Sequence, residues 1–157
     1  MTVVADALPL RSLISIGESE LLHLLFGEVT IPAAVAAELE GSGAADAHSQ
    51  WISRPPDWLR QRAVNASGSS DLGHLDAAER EAILLALELR ADLVLLDDLA
   101  ARRAAEGLGL NAVGLLGVLD AASRRDLLDL AAAVERLQET SFRASPRLLR
   151  RLLEGDR

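Results

Sequence analysis

The hydrophobic positions fall into short continuous runs, separated by longer segments in which apolar residues recur at helical spacing. Residues 93–96 form one apolar run between two helical patterns, at residues 76–90 and 99–107. A short apolar run between two helices is typical of a buried strand in a parallel sheet. Residues 2–5 form a second short run, rich in β-branched side chains. Because both runs end at aspartate, the pattern predicts two strands that are each followed directly by a carboxylate.

The rest of the pattern continues this alternation. We predict three further strands, at residues 28–31, 58–64 and 111–113, with the second at an edge of the sheet. We also predict helices at residues 10–26 (one or two, broken near Gly17), 33–40, 76–90, 99–107, 127–138 and 147–154, another ending at residue 123, and a short one within 42–53. Asp76 and Glu79 have the spacing of a capping box. Residues 65–73 are rich in Ser and Gly, which predicts a flexible loop.

The order of these elements predicts the fold class. Strands that alternate with helices imply a mostly parallel sheet covered by helices on both faces. The length predicts a single α/β domain over residues 1–157, and no internal repeat divides it. Half of the residues are hydrophobic but only 3% are aromatic, so we expect a core of Leu, Ala, Val and Ile.

Composition excludes several classes of function. The net charge of −8 argues against general affinity for a polyanion, because phosphate neutralisation needs clustered cations. The chain has no Cys, which excludes disulfides, thiolate nucleophiles and Cys-ligated metals. No apolar run approaches the roughly 20 residues of a membrane span. With no signal-like opening segment either, we expect a soluble, cytoplasmic protein.

Acidic residues at the strand ends are the candidates for chemistry. Asp6, Asp97 and Asp98 follow predicted strands, and Glu38 and Glu79 lie on neighbouring helices. Sites in open α/β sheets form beyond the carboxyl ends of the strands. Adjacent carboxylates are costly to place together unless a cation or a proton holds them. Carboxylates without Cys and with little His suit a hard cation such as Mg²⁺ or Mn²⁺, which promotes phosphoryl displacement.

Each of these carboxylates also has an ordinary structural explanation. These explanations are a strand-end turn for Asp6, a solvated helix face for Glu38, and a helix cap for Glu79, Asp97 or Asp98. The three His residues share no metal-ligand spacing, and we expect them on the surface or in loops. The one basic concentration is Arg143, Arg147, Arg150 and Arg151. It favours a dimer interface, an interface with another protein or a solvated helix face over contact with a polyanion.

Several segments together resemble a known family. They are residues 3–10 (VVADALPL), 31–32 with Glu38 one helix later, 75–83 (LDAAEREAI), 95–98 (LLDD) with 101–102, and 113–114 ahead of Gly117. In their order and spacing they are similar to PIN domains, and most of all to a prokaryotic branch of predicted nucleic-acid-binding proteins. The resemblance covers nearly the whole chain.

The resemblance implies a three-layer α/β/α sandwich with a mostly parallel sheet of about five strands. It implies an acidic cluster that binds Mg²⁺ or Mn²⁺ and hydrolyses phosphodiester bonds in RNA, with a metal-bound water as the nucleophile. Many small relatives are toxins of toxin–antitoxin pairs, form homodimers and are silenced by a small antitoxin protein. Matched by position, the catalytic metal ligands are Asp6, Glu38, Glu79 and Asp98, with Asp97 the close competitor of Asp98.

The sequence departs from the family pattern near the predicted site. Relatives usually carry Ser or Thr after the first aspartate, where this chain has Ala7 and Leu8. A second hydroxyl is replaced by Leu115 or Leu116, and a Lys common near Ser123 is missing. Losing hydroxyls beside the ligands weakens their support and affects turnover more than metal binding.

Two functional hypotheses follow, from different classes. The first is a metal-dependent endoribonuclease, with a toxin of a toxin–antitoxin pair as its more specific form. The alternative is a catalytically weak or inactive PIN-like module that binds a protein partner or RNA. A metal-dependent phosphatase is a distant third hypothesis, because that chemistry would require a Lys near a nucleophilic Asp and the chain has no Lys.

Overall fold

A computed structural model describes residues 1–41, 43, 45–65 and 72–155. Its strands are β1 (Val3–Ala5), β2 (Val29–Pro32), β3 (Leu59–Arg62), β4 (Leu93–Leu95) and β5 (Ala112–Val113). Its helices are α1 (Ala7–Ser15), α2 (Glu20–Phe26), α3 (Ala33–Glu40), α4 (Ala47–Ser53), α5 (Ala77–Leu89), α6 (Leu99–Gly107), α7 (Leu115–Arg124), α8 (Leu130–Gln138) and α9 (Pro146–Leu153). No helix within these described ranges has both the length and the apolar character that crossing a membrane requires.

The five strands form one sheet in the order β3-β2-β1-β4-β5, and every neighbouring pair is parallel. Val4 in β1 lies beside Thr30 on one side and Val94 on the other. The chain therefore runs outward from β1 in one direction through β2 and β3, and then in the other through β4 and β5. This reversal places the switch point of the sheet between β1 and β4, where open α/β sheets form their sites.

Helices cover both faces of the sheet. Val3 and Ala5 belong to a hydrophobic cluster shared with α1, α2, α7 and α8, whereas Val4 belongs to a second cluster shared with α5 and α6. All three side chains are at most 1% exposed. A strand that is buried on both faces reads as a continuous apolar run, which explains the pattern of residues 2–5. The predicted three-layer α/β/α sandwich with a parallel, five-stranded sheet is confirmed.

Most predicted element boundaries agree with the structure, but α1 begins earlier than expected. Its first residue is Ala7 rather than residue 10, so that Pro9 falls within its first turn. A helix tolerates Pro there because the first N–H groups have no partner inside the helix. Gly17, with a φ of +73°, separates α1 from α2. The predicted flexible loop at 65–73 lies mostly outside the described residues, because 66–71 are not described.

Candidate metal site

Asp6 lies at the switch point, between the end of β1 and the start of α1. Its backbone N–H donates to the carbonyl oxygen of Leu95 at 2.9 Å, which links β1 to β4. The residue is 4% exposed, and its Oδ1 has no hydrogen-bond partner among the described residues. Burial raises the pKa of Asp6 to about 7, although the Ala7 N–H opposes the shift. Negative charges from Asp76, Glu79 and Glu38 raise this pKa further, and no cation in the described part of the chain offsets them.

Glu79 lies in the first turn of α5, in the capping box that the sequence predicts. Its backbone N–H donates to Asp76 Oδ1 at 2.8 Å, and its own Oε1 accepts from the Asp76 N–H at 3.1 Å. Burial raises the pKa of Glu79, as do the charges of Asp76, Asp98 and Glu38. The capping role of Glu79 is therefore confirmed, and the negative charges of the neighbouring acidic side chains act on the same carboxylate.

Glu38 projects from α3 into this acidic group. Burial raises its pKa, the charge of Asp76 raises it further, and Arg11 on α1 lowers it. The helix that carries Glu38 is fixed to α5 by a specific contact. The backbone N–H of Ala34, in the first turn of α3, donates to Glu81 Oε1 at 3.0 Å. Glu81 thus holds the helix of Glu38 against the helix of Glu79.

Asp97 and Asp98 have separate roles after β4. Asp98 caps α6, because its Oδ2 accepts from the Ala101 N–H at 3.0 Å, and its charge contributes to the raised pKa of Glu79. Asp97 instead reaches α7, where its Oδ1 accepts from the Leu115 N–H at 2.5 Å. Burial raises the pKa of Asp97, while that hydrogen bond and Arg102 lower it.

Four predicted ligands therefore influence one another electrostatically, namely Asp6, Glu38, Glu79 and Asp98. Asp76 joins them as a fifth carboxylate that the sequence indicated only as a helix cap. Within the described part of the chain, no three of these side chains already stand in a geometry that would hold an ion. The donor chemistry nevertheless fits a hard cation, since all donors are carboxylate oxygens and Asp6 Oδ1 is buried with no partner among the residues described.

A cavity of about 580 Å³ opens beside the carboxylates. We call it the side cavity. It is bounded by α1, α4, the first turns of α6 and α7, the segment 140–144 and α9, and both Asp97 and Asp98 lie on its wall. Leu8 lines it and is 46% exposed, whereas Leu115 is fully buried. Of the residues that stand where hydroxyls were expected, Ala7 and Leu115 are buried, Leu116 is half-buried on the cavity wall, and Leu8 is exposed.

His48 also lines the side cavity, and it departs from the expected surface or loop position. It lies on α4 with its side chain 12% exposed, and its Nε2 is 2.8 Å from Ser15 Oγ. Its Nδ1 is 2.9 Å from Asp46 Oδ2 but has no hydrogen-bond partner among the described residues, so the three side chains have the composition of a Ser–His–Asp triad without its His–Asp hydrogen bond. Nε2 is also 3.0 Å from the carbonyl oxygen of Arg11, which can only accept. Nε2 must therefore carry a proton for that bond, and it cannot take the proton of Ser15.

Comparison with known proteins supports the fold. The sequence matches the family described as "DUF3368: PIN domain" over residues 2–155. The structure is similar to that of a PilT N-terminus domain protein, SSO1118, from the hyperthermophilic archaeon Sulfolobus solfataricus P2, with a TM-score of 0.52 and 20% sequence identity. The likeness covers 92% of this chain and 100% of that one, and at this identity it shows the fold alone. No curated protein matches. The family match spans almost the whole chain, and the chain therefore belongs to the PIN domain family.

Proposed function

We propose that this protein is a metal-dependent endoribonuclease that hydrolyses phosphodiester bonds in RNA. The observation that carries the proposal is Asp6, a buried carboxylate whose Oδ1 has no partner among the described residues and whose pKa is raised by the charges of Asp76, Glu79 and Glu38. Membership of the PIN domain family supports it, because PIN domains have a nuclease-type fold, generally use divalent metals and typically bind nucleic acids. In this proposal Asp6, Glu38, Glu79 and Asp98 hold Mg²⁺ or Mn²⁺.

When bound, the cation would neutralise charge on the phosphate and lower the pKa of a water molecule. The protein's own contribution is to orient the ligands. Asp6 is fixed by the backbone bond between β1 and β4, and Asp98 by its cap on α6. The capping box fixes Glu79, while the bond from Ala34 to Glu81 sets α3 against α5. In this assignment Asp97 positions the start of α7 rather than the metal.

Several finer features remain predictions from the family resemblance. They are the role of toxin in a toxin–antitoxin pair, a small antitoxin partner, a homodimer and a cytoplasmic location. Each is testable separately from hydrolysis, since an inactive protein can still dimerise or bind a partner.

One observation favours the alternative, a catalytically weak or inactive module that binds RNA or a protein. Leu8 presents an apolar side chain, 46% exposed, where relatives usually carry a hydroxyl beside the first aspartate. A leucine cannot donate a hydrogen bond to a ligand or a phosphate, so the carboxylates lose that support. This alternative predicts that metal binds but that RNA is not cleaved.

Cleavage of a labelled RNA tests the proposal. We expect wild type to cleave a single-stranded RNA of mixed sequence in the presence of Mn²⁺ and to leave it intact in EDTA. Asp6→Asn and Glu79→Gln should each lower the rate at least about 100-fold, because each removes a charge that would hold the cation. Glu135→Gln, at an exposed position on α8, is the matched control and should cleave like wild type. Metal binding without cleavage in wild type would favour the binding module instead.

A further inference from the structure

The side cavity differs in character from the acidic group that it adjoins. Among the described residues, eight large hydrophobic side chains are notably exposed, and three of them line this cavity: Leu8 at 46%, Leu99 at 50% and Leu148 at 47%. Arg11, Arg102 and Arg143 line the same cavity, in a chain with a net charge of −8. Apolar surface interleaved with cations next to the proposed hydrolytic site suits a ligand with both flat apolar parts and anionic groups.

The segment between α8 and α9 places an aromatic residue, Phe142, on the wall of this cavity, and Phe142 also packs against the hydrophobic core. Phe142 is half-buried and lines it, and the chain contains only two Phe and two Trp. Its backbone N–H donates to Thr140 Oγ1 at 3.1 Å, and that hydroxyl donates to the carbonyl oxygen of Leu137 at 2.6 Å. The ring is therefore carried by a segment that is tied to the end of α8, so little ordering is needed when a ligand binds.

Arg143 stands beside this ring. Its Nη1 donates to the carbonyl oxygens of Thr140 and Phe142, each at 3.1 Å, which holds the guanidinium against its own turn. The structure separates Arg143 from the arginines of α9, because Arg147, Arg150 and Arg151 do not line the cavity. Arg102 is engaged differently, since its Nη1 donates to the carbonyl oxygens of Leu96 and Asp97. Both guanidinium groups are thus held by carbonyl oxygens, but Arg102 is half-buried whereas Arg143 is exposed, so Arg143 is the more accessible of the two to a ligand.

Building on the proposed function, we propose that the side cavity is a subsite for an unpaired nucleoside of single-stranded RNA, with Phe142 against the base and Arg143 near the adjoining phosphate. Asp98, a proposed metal ligand, and Phe142 line the same cavity, and for this reason we place in it the nucleoside next to a phosphate held at Asp98. A base in a duplex is stacked and paired, and must be extruded before it enters a pocket. Proteins that read single strands commonly stack unpaired bases on aromatic side chains.

Binding of RNA without hydrolysis tests this subsite. Fluorescence anisotropy in EDTA compares a labelled hexanucleotide RNA with a fully paired hairpin. We expect the hexanucleotide to bind at least about tenfold more tightly. Phe142→Leu keeps apolar volume but removes the ring, and should weaken binding about tenfold, whereas Phe142→Tyr should bind like wild type. Arg143→Gln should weaken binding severalfold, and Arg60→Gln, an equal change of charge on β3, should not.

Three results would overturn the subsite: no binding of the hexanucleotide, equal binding of the hairpin, or unchanged binding in both Phe142→Leu and Arg143→Gln. Arg143 is exposed, so its substitution does not threaten the fold and remains informative if Phe142→Leu is unstable. Failure of the proposed nuclease is distinguishable from these results. RNA binding that depends on Phe142 in a protein that neither binds Mn²⁺ nor cleaves RNA would support the subsite and contradict the nuclease.

Discussion

The carboxylate of Glu81 on α5 accepts a hydrogen bond from the backbone N–H of Ala34 in the first turn of α3, at 3.0 Å. Glu79 lies two residues before Glu81, and Glu38 lies one turn beyond Ala34 on the same helix. One side chain therefore joins the helices that carry two of the four proposed ligands. It also satisfies an N–H at the start of α3, where Pro32 provides no side-chain cap.

Removing this link should weaken both the fold and the metal site. We expect Glu81→Ala to lower the free energy of unfolding by about 0.5–2 kcal/mol, as the loss of a helix cap does. Mn²⁺ affinity should fall about 10-fold or more, because supporting residues orient the ligands. Glu81→Gln keeps an accepting oxygen and should retain most of the stability and most of the Mn²⁺ affinity. Urea unfolding and calorimetry measure the two effects, and equal Mn²⁺ affinity in Glu81→Ala and wild type would contradict a positioning role.

The stability of the metal-free protein should fall as pH rises. The pKa of Asp6 is about 7 in the folded chain, against an ordinary value of 3.8, so the folded state binds more protons between these values. Unfolding therefore becomes easier with rising pH across that window, by about 1.4 kcal/mol per pH unit for one such group. The pKa values of Glu38, Glu79 and Asp97 are also raised and act in the same direction.

Asp6→Asn provides the comparison for this pH effect. The Asn amide cannot ionise. The melting temperature of the variant in EDTA should therefore exceed that of wild type at pH 8 and should depend less on pH. Added Mn²⁺ should stabilise wild type at pH 8 but not the variant, because a ligand stabilises the state that binds it. A wild-type melting temperature that increases from pH 4 to pH 7 in EDTA would contradict the burial of an uncompensated Asp6.

Substitution of Asp98 should separate capping from metal binding. Asn is as good a helix N-cap as Asp, so Asp98→Asn should keep the bond to the Ala101 N–H and change stability by less than about 0.5 kcal/mol. The loss of a negative ligand should nevertheless lower Mn²⁺ affinity at least about tenfold. Asp97→Asn should have the smaller effect on affinity, because Asp97 is engaged with α7. The reverse order of the two variants would assign the ligand to Asp97.

Gly114 should tolerate no side chain. A Cβ at this position would lie 2.7 Å from Arg102 Nη1 and 3.0 Å from Asp97 Oδ1. Arg102 cannot move aside without losing its bonds to two carbonyl oxygens, so Gly114→Ala should destabilise the fold by about 1–3 kcal/mol. Gly107→Ala is the matched control, since its Cβ meets nothing within 4 Å at the end of α6, and it should be neutral or stabilising. Equal unfolding midpoints for the two variants would argue against the close approach.

The sequence predicts most of the fold because its local signals agree with the tertiary structure. β1 and β4 are buried on both faces and read as continuous apolar runs, and the capping box of Asp76 and Glu79 lies within four residues. The different roles of Asp97 and Asp98 cannot be predicted from local sequence patterns. Two adjacent carboxylates look equivalent in sequence, and only the pairing of β4 with β5 brings the start of α7 to Asp97.

Other features depend on contacts between distant parts of the chain. Ala34 and Glu81 are 47 residues apart, and Ser15 and His48 are 33 apart, so no local pattern indicates either contact. Phe142 follows α8 in a short polar segment, and its place on the side cavity depends on how α8 and α9 pack. These long-range contacts are the part of the candidate site that sequence patterns leave undetermined.

The central claim is that Asp6 and its neighbours bind a divalent cation. The most direct test is calorimetric titration of Mn²⁺ into wild type and Asp6→Asn at pH 8, where the carboxylates are ionised. We expect saturable binding to wild type and its loss in the variant, with both proteins shown to be folded. Absence of binding to wild type, or equal binding to Asp6→Asn, would contradict the metal site on which the proposed nuclease depends.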